Sequence, residues 1–471
     1  MPFAGTRMPF RASAPRRHDG QPSITIAALG IAASCRTGPT RRTLRGSRSP
    51  SCGLQLHPTP PGTTPQPPGI AGSPSCRAHV PRVGLRVYCP PPMSPPGHAA
   101  QHDRIAALDG VRGLAVLAVM LLHCMNPMLA VGPLTAVDQF VVHLSCLGWA
   151  GVDLFFALSG FLITRILLES RDSPHYFRNF YARRSLRIFP LYYLVTVLLF
   201  FVLPRPPASN GQLTAHLLYY QNLSYGFGWT AYHDAAKGVT WSLAIEEQFY
   251  LVWPAVVFWC KRRWLPIVCA LLFGLSLVMR CLLVDVVAAS LLTPCRLDAL
   301  ALGAALAIMP APPVALARAC LVAAVTVVGI ISVRYGPLVE SDGMRTFGLS
   351  AVALLMAGLV AAALRGGLVA RCCRIPPLRT LGKYSYAIYL LHILVTEQAI
   401  THLLGDHQHA GPLRRLLVPL GSNTVIVLCF FVIVVVATTA VAIVSWHLFE
   451  KHWLELKRHF PTGASQARSR P

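Results

Sequence analysis

Charge is scarce in this 471-residue chain: Asp, Glu, Lys and Arg together make up 13%, and only 18 residues are acidic. Soluble domains carry about a quarter charged residues, so an ordinary water-soluble domain is excluded. Lysine is nearly missing as well, since five of the 42 basic residues are lysine and the rest are arginine. The 14 cysteines include no C-x-x-C pair. Neither a metal site nor a disulfide framework is expected, and the cysteines read as mostly free thiols. No cleavable leader is expected either. The one apolar stretch near the start, ITIAALGIAA, follows a long basic segment and is short for a span.

What is there is apolar: 54% hydrophobic residues and a mean hydropathy of +0.51. The net charge is +24. In a soluble protein that would point to nucleic acid. Here the arginines sit between apolar runs, as in cytoplasmic loops of a membrane protein, and no nucleic-acid partner is expected. Residues 1–100 differ from the rest, being rich in Arg, Pro, Ser and Gly (TPPGTTPQPPG, CPPPMSPPGH). Such composition cannot bury a core, so this segment is expected to be disordered, or to precede a true start at Met93.

From Ile105 onward, apolar runs recur near the ~20 residues a helix needs to cross a bilayer. Lipid offers the backbone no hydrogen bonds, so such runs must be helical. The expectation is an all-α, polytopic transmembrane helix bundle of about ten spans. They fall near 105–129, 141–168, 186–203, 241–260, 264–284, 288–309, 313–333, 346–364, 381–403 and 422–448. The membrane domain would cover 101–456, followed by a basic cytoplasmic tail, 457–471. Arginine and lysine cluster after spans 2, 4, 8 and 10, which puts both termini in the cytoplasm; Arg414 and Arg415 run against this rule. The long outer loop 204–240 (LLYYQNLSYGFGWTAYHD) is aromatic and polar, suiting a lid or an acceptor surface.

Ionisable residues inside spans are costly and need a reason. In span 1, Arg112 and His123 are eleven residues apart. At 100° per residue they lie ~20° from three full turns, on one face, with a rise of roughly 16 Å. Asp109 precedes Arg112 by about one turn. Span 4 opens WSLAIEEQFYLVWP, placing Glu246 and Glu247 near its outer end. Span 6 holds Arg296 and Asp298, whose structural reading is mutual neutralisation within the bundle, and span 9 holds His392. At the cytoplasmic mouth of span 3, Arg184 and Arg187 are spaced i, i+3. That spacing serves plain membrane anchoring, or lets two guanidinium forks grip one diphosphate.

These residues fall in ordered blocks: LDGVRGLAVLAVMLLH, GVDLFFALSGFLITRILL, RRSLRIFPLYY, TWSLAIEEQFYLVWP, CRLDALALG, LGKYSYAIYLLH and SWHLFEKHWL. Together, over about 104–455, they resemble the integral-membrane acyltransferase 3 family, which O-acylates surface polysaccharides, lipopolysaccharide and glycosides. The resemblance assigns the span-1 motif to Arg112 and His123, the cytoplasmic motif to Arg184 and Arg187, and the span-4 motif to Glu246 or Glu247. It departs at the end, where Glu450 and Lys451 are followed by His452 rather than the family's usual proline. Many members also carry an outer hydrolase-like domain after the last span. None is expected here, and a second step would then fall to the outer loops or to another protein.

The resemblance implies an O-acyltransferase of the cell (inner) membrane, most simply an O-acetyltransferase. It would take acetyl-CoA or another acyl-CoA as donor substrate, a saccharide or glycoside hydroxyl as acceptor, and no bound cofactor. His123 would act as general base and Glu246 or Glu247 would orient it. Arg112 and Arg296 would complete the catalytic set, with Arg296 stabilising an oxyanion or balancing a carboxylate. Arg184 and Arg187 would hold the donor. Asp109, Asp153, Asp298, Trp241, Ser242, Tyr250 and His392 are candidate supporting residues. A multi-span transporter also buries Arg, Glu and His at mid-membrane, but matched repeats are not evident here. A non-catalytic family member is the other alternative, and the intact blocks argue against it.

Overall fold

The computed structural model describes residues 98–125, 135–203, 209–230, 234–284, 290–310, 313–336, 339, 341–405, 411–417 and 423–461. Most of the Arg/Pro-rich segment, including Met93, and the end of the basic tail lie outside these residues. The described residues belong to one unit, Pro90–Pro471, and no β-strand occurs among them.

The chain opens with α1 (His98–Met125), α2 (Ala136–Cys146), α3 (Ala150–Ser170) and α4 (Tyr176–Val197). The segment expected to be the long outer loop carries three short helices, α5 (Asn210–Leu217), α6 (Gln221–Gly226) and α7 (Ala235–Gly238). There follow α8 (Trp241–Trp259), α9 (Leu265–Leu282), α10 (Leu297–Ile308), α11 (Val314–Tyr335) and α12 (Leu349–Arg365). A pair of short helices, α13 (Gly367–Cys373) and α14 (Pro376–Lys383), leads into α15 (Ser385–Ala399). The last are α16 (Pro412–Leu417), α17 (Asn423–Ser445) and α18 (Lys451–Glu455).

Each of the ten expected spans contains a helix, and eight helical stretches are long and apolar enough to cross a membrane. The chain is a multi-pass, all-α membrane protein. Two expected spans depart from the simple picture. Span 4 is the helix α8, but it is not among those eight stretches, because its first third carries Glu246 and Glu247. Span 6 reduces to the 12-residue α10, about 18 Å long at 1.5 Å per residue and short of a ~30 Å hydrocarbon layer. The residues ahead of it, 290–296, are turns and a short 3-10 segment rather than helix.

Helix starts follow local chemistry. Thr135 and Asp138 form a capping box at α2, and Asp138 also accepts from the backbone and hydroxyl of Thr424. The buried carboxylate thus ties the start of α2 to the start of α17. Asp234 accepts from the amides of Ala236 and Lys237 and starts α7.

Helix α3 is central, packed by α1, α8, α10 and α12. Its closest approach is to α10: a Cβ on Gly160 would collide with the Leu300 carbonyl, and one on Gly303 with the Ala157 carbonyl. Small residues on both faces let the two backbones touch, the usual means of helix association in lipid. The arginine-bearing segments gather at one end of the bundle. Arg171 donates to the carbonyls of Phe258 and Cys260, both at 2.9 Å, and Arg183 donates to Lys457 and Phe460 carbonyls at 3.1 and 3.0 Å. The first residues of the tail are therefore fastened to α4. At the opposite end, Gln248 of α8 donates to Asn222 and to the Tyr219 carbonyl, both at 2.8 Å, holding the outer-loop helices on the bundle.

Candidate active site

One cavity opens between α1, α3, α4, α8 and α15. Its polar lining comes from Arg112, Ser159, Arg184, Arg187, Ser242, Glu246, Tyr250, Ser385, Tyr386 and Tyr389; its apolar wall includes Phe155, Phe156, Leu162 and Ile163. Arg184 and Arg187 lie one turn apart on α4, so both face the same space. The Arg184 guanidinium sits 4.4 Å over the Tyr250 ring, a cation–π contact that fixes it without neutralising it. Arg112 pairs with Asp109 on its own helix at 2.5 Å. Glu246 is the one carboxylate lining the cavity, against three arginines. It accepts from Ser159 of α3 at 2.5 Å. Ser159 drew no notice in the sequence; its signal was a small hydroxyl inside the apolar run FFALSGFL.

A hydroxyl pair lines the cavity near the start of α8. Tyr389 Oη donates to the Val239 carbonyl at 3.0 Å. With its one proton so used, it accepts from Ser242 Oγ at 2.6 Å. The Tyr389 ring also lies 5.8 Å from that of His392, centroid to centroid.

His123 is not among the cavity's lining residues, and the expected contact with Glu246 does not form. Its neighbour is His392: the rings meet edge to face at 5.0 Å, with His392 Nε2 3.3 Å from His123 Nδ1. The pairing fixes both tautomers. A carbonyl can only accept, so His392 Nδ1, 2.7 Å from the Tyr389 carbonyl, carries a proton. His392 Nε2 then has a lone pair. His123 Nδ1, 2.8 Å from the Val119 carbonyl, is protonated too and is shared with His392. That leaves His123 Nε2 with a lone pair and no hydrogen-bond partner among the described residues, on a ring that is partly exposed. A backbone carbonyl and a second histidine, rather than a carboxylate, set this imidazole.

The remaining candidates lie apart from the cavity lining. Glu247 is not among its lining residues; the side chain is half-buried, with its Oε1 enclosed and without a hydrogen bond. Arg296 and Asp298 do not pair with each other. Two residues apart at the head of one helix, they point in different directions. Arg296 instead meets Asp153 of α3 at 3.0 Å, its guanidinium 5.7 Å over the Phe156 ring and 5.5 Å over that of Trp241. Asp298 meets Arg280 of α9 at 2.8 Å and Ser350 of α12 at 3.1 Å. Arg280, overlooked in the sequence because a lone arginine at a span end reads as an interfacial anchor, also donates to the carbonyls of Thr346 and Cys295.

The family profile described as "Acyltransferase domain" matches residues 105–447. The peptidoglycan O-acetyltransferase OatA of Listeria monocytogenes is 36% identical over 164 residues, 32% of this chain and 24% of the relative. The O-acetyltransferase OatA of Staphylococcus aureus is 28% identical over 317 residues, 61% of this chain and 50% of the relative. These matches span about a quarter to a half of the relatives' own lengths. No solved structure matches the chain. With the profile covering most of its length and every motif block on a helix of one bundle, this chain belongs to the acyltransferase 3 family of membrane proteins.

Proposed function

We propose that this protein is an O-acetyltransferase of the cell membrane, moving an acetyl group from cytosolic acetyl-CoA to a hydroxyl of peptidoglycan or a related saccharide. The family and the names of the relatives support the reaction class and the acceptor. The observation that carries the donor half is the cavity itself, with three arginines around a single carboxylate at the arginine-rich end of the bundle. Guanidinium groups so placed suit phosphate oxygens, and the apolar wall beyond them suits a thin, uncharged acyl-thioester arm.

His123 Nε2 takes the proton from the acceptor hydroxyl as its oxygen attacks the thioester carbon. The carbon–sulfur bond breaks, and the imidazolium returns the proton to the leaving thiolate. His392 holds the imidazole in the tautomer this needs and acts as a positioning residue. Tyr389 stands between the cavity and the histidines, so the thioester reaches His123 once Tyr389 leaves Ser242 and Val239. Glu246, held by Ser159, balances the arginines and keeps the cavity polar enough to admit the donor's head.

Thiol release from acetyl-CoA by the chain in proteoliposomes, with a muropeptide acceptor, tests this. His123→Ala should abolish transfer while the protein still inserts. His392→Ala should lower kcat at an unchanged donor KM. Wild-type turnover in His123→Ala, or no thiol release by the wild type, would refute the assignment. Mass spectrometry of wall glycans with and without the gene then checks the acceptor, through a mass difference of one acetyl unit.

A further inference from the structure

Below the cavity lies a second space, lined by Ser170, Ser173, Tyr176, Asn179, Arg183 and Lys457 among others. Ile163, Ile166, Arg184 and Arg187 line both, so the two are contiguous. Four cations, Arg183, Arg184, Arg187 and Lys457, face the lower basin and no carboxylate lines it. Arg184 Nε and Ser173 Oγ are buried there without hydrogen bonds. Cations crowded in this way repel one another, and the single carboxylate of the adjoining cavity, Glu246, offsets only part of that repulsion, so an anion in the basin would be favoured.

Lys457 does not come from the helices that form the rest of the basin. It sits in the turn Leu456–His459 beyond α18, and that segment is strapped to α4. Asn179 Nδ2 donates to the Pro461 carbonyl at 2.7 Å, and Arg183 donates to Lys457 and Phe460 carbonyls. The Arg178 guanidinium lies 5.6 Å from the Phe460 ring centroid. Arg183 is thus spent on holding the strap, and the strap delivers the lysine.

We propose that Leu456–Pro461 forms a wall of the donor site and that Lys457 binds a phosphomonoester of the donor nucleotide, apart from the diphosphate held by Arg184 and Arg187. This rests on the donor reading above. A lysine is a compact point charge suited to a terminal phosphate dianion, whereas paired arginines suit a bridging diphosphate. An anionic lipid headgroup shares this chemistry, and the experiment separates the two.

The test uses the full chain in nanodiscs of zwitterionic lipid, with acetyl-CoA and 3′-dephospho-acetyl-CoA as donors. Lys457→Ala should raise KM for acetyl-CoA roughly tenfold, leave kcat alone, and leave the dephospho-donor unchanged. Lys457→Arg should restore most of the difference. Equal KM values for wild type and Lys457→Ala with acetyl-CoA would overturn the proposal while leaving the transferase standing. Binding of adenosine 3′,5′-bisphosphate, followed by calorimetry, gives a readout without turnover. Loss of that binding in Lys457→Ala supports the site even if no thiol is released, in which case the transferase reading alone fails. Stabilisation by anionic lipid that depends on Lys457 and that the bisphosphate does not compete away would assign the site to lipid and overturn the nucleotide reading.

Discussion

Two groups of charge in this bundle, one buried and one lining an open basin, behave in opposite ways. Beside α3, Asp153 meets Arg296 and Asp298 meets Arg280, with almost every surface of these four side chains inside the protein. Toward the arginine-rich end, Arg184, Arg187 and Lys457 share a basin lined by no carboxylate. The first group is complete as it stands. Its charges cancel across helices, and its task is to join α3, α9, α10 and α12. The second group has only Glu246 near it, in the adjoining cavity, and has charge left over for an anion. A buried arginine is therefore no sign of a ligand until its partners are known, and here the missing partner marks the binding site better than the residue type does.

This contrast can be broken experimentally. The largest effect is expected from Asp298→Ala, which strands Arg280 in the interior. Removing one member of a buried pair costs about 3–5 kcal/mol, so the protein should be lost from monodisperse fractions in detergent. Next comes Arg184→Ala with Arg187→Ala. Here the fold should survive with an unchanged or higher melting temperature, because like charges are removed, while donor KM rises about a hundredfold at two lost charge-assisted contacts. If that double variant instead unfolds, these arginines belong with the first group.

Asp153→Asn should fall between these and the surface. It keeps the shape and leaves Arg296 one hydrogen bond with a neutral partner, at a cost of roughly 1–3 kcal/mol, read as a lowered thermal midpoint with donor KM unchanged. The smallest effect belongs to Glu169→Gln. Its pair with Arg165 is 2.7 Å long but about half exposed on both sides, and such pairs contribute ~0–1 kcal/mol. A larger loss there would mean that distance alone, without burial, sets the worth of an ion pair in this protein.

Much of the architecture was legible beforehand. Apolar runs located a helix for every expected span, and arginine-rich loops marked the segments that meet at one end. The i, i+3 spacing of Asp109 with Arg112, and of Arg184 with Arg187, correctly placed each pair on one helix face. The span 6 estimate failed because hydropathy counts apolar residues and does not see that 290–296 form 3-10 and turn segments rather than α-helix. Arg280 and Lys457 were missed for a shared reason: each gains its meaning from chain far away in sequence, Asp298 and Ser350 for one, Arg183 and Asn179 for the other. His392 was noted, but nothing in YSYAIYLLH shows that its ring would face His123.

Sequence alone determined which segments are helices, which end gathers arginine and which residues share a face, because these depend on hydropathy and on the fixed 100° turn of a helix. Tertiary structure alone decided that His123 meets His392 instead of Glu246, that Arg296 meets Asp153, and that Lys457 joins the basin. Those outcomes depend on how each helix is rotated against its neighbours. That rotation is set by the packing of many small contacts, such as Gly160 on Leu300 and Gly303 on Ala157, and no single segment encodes it.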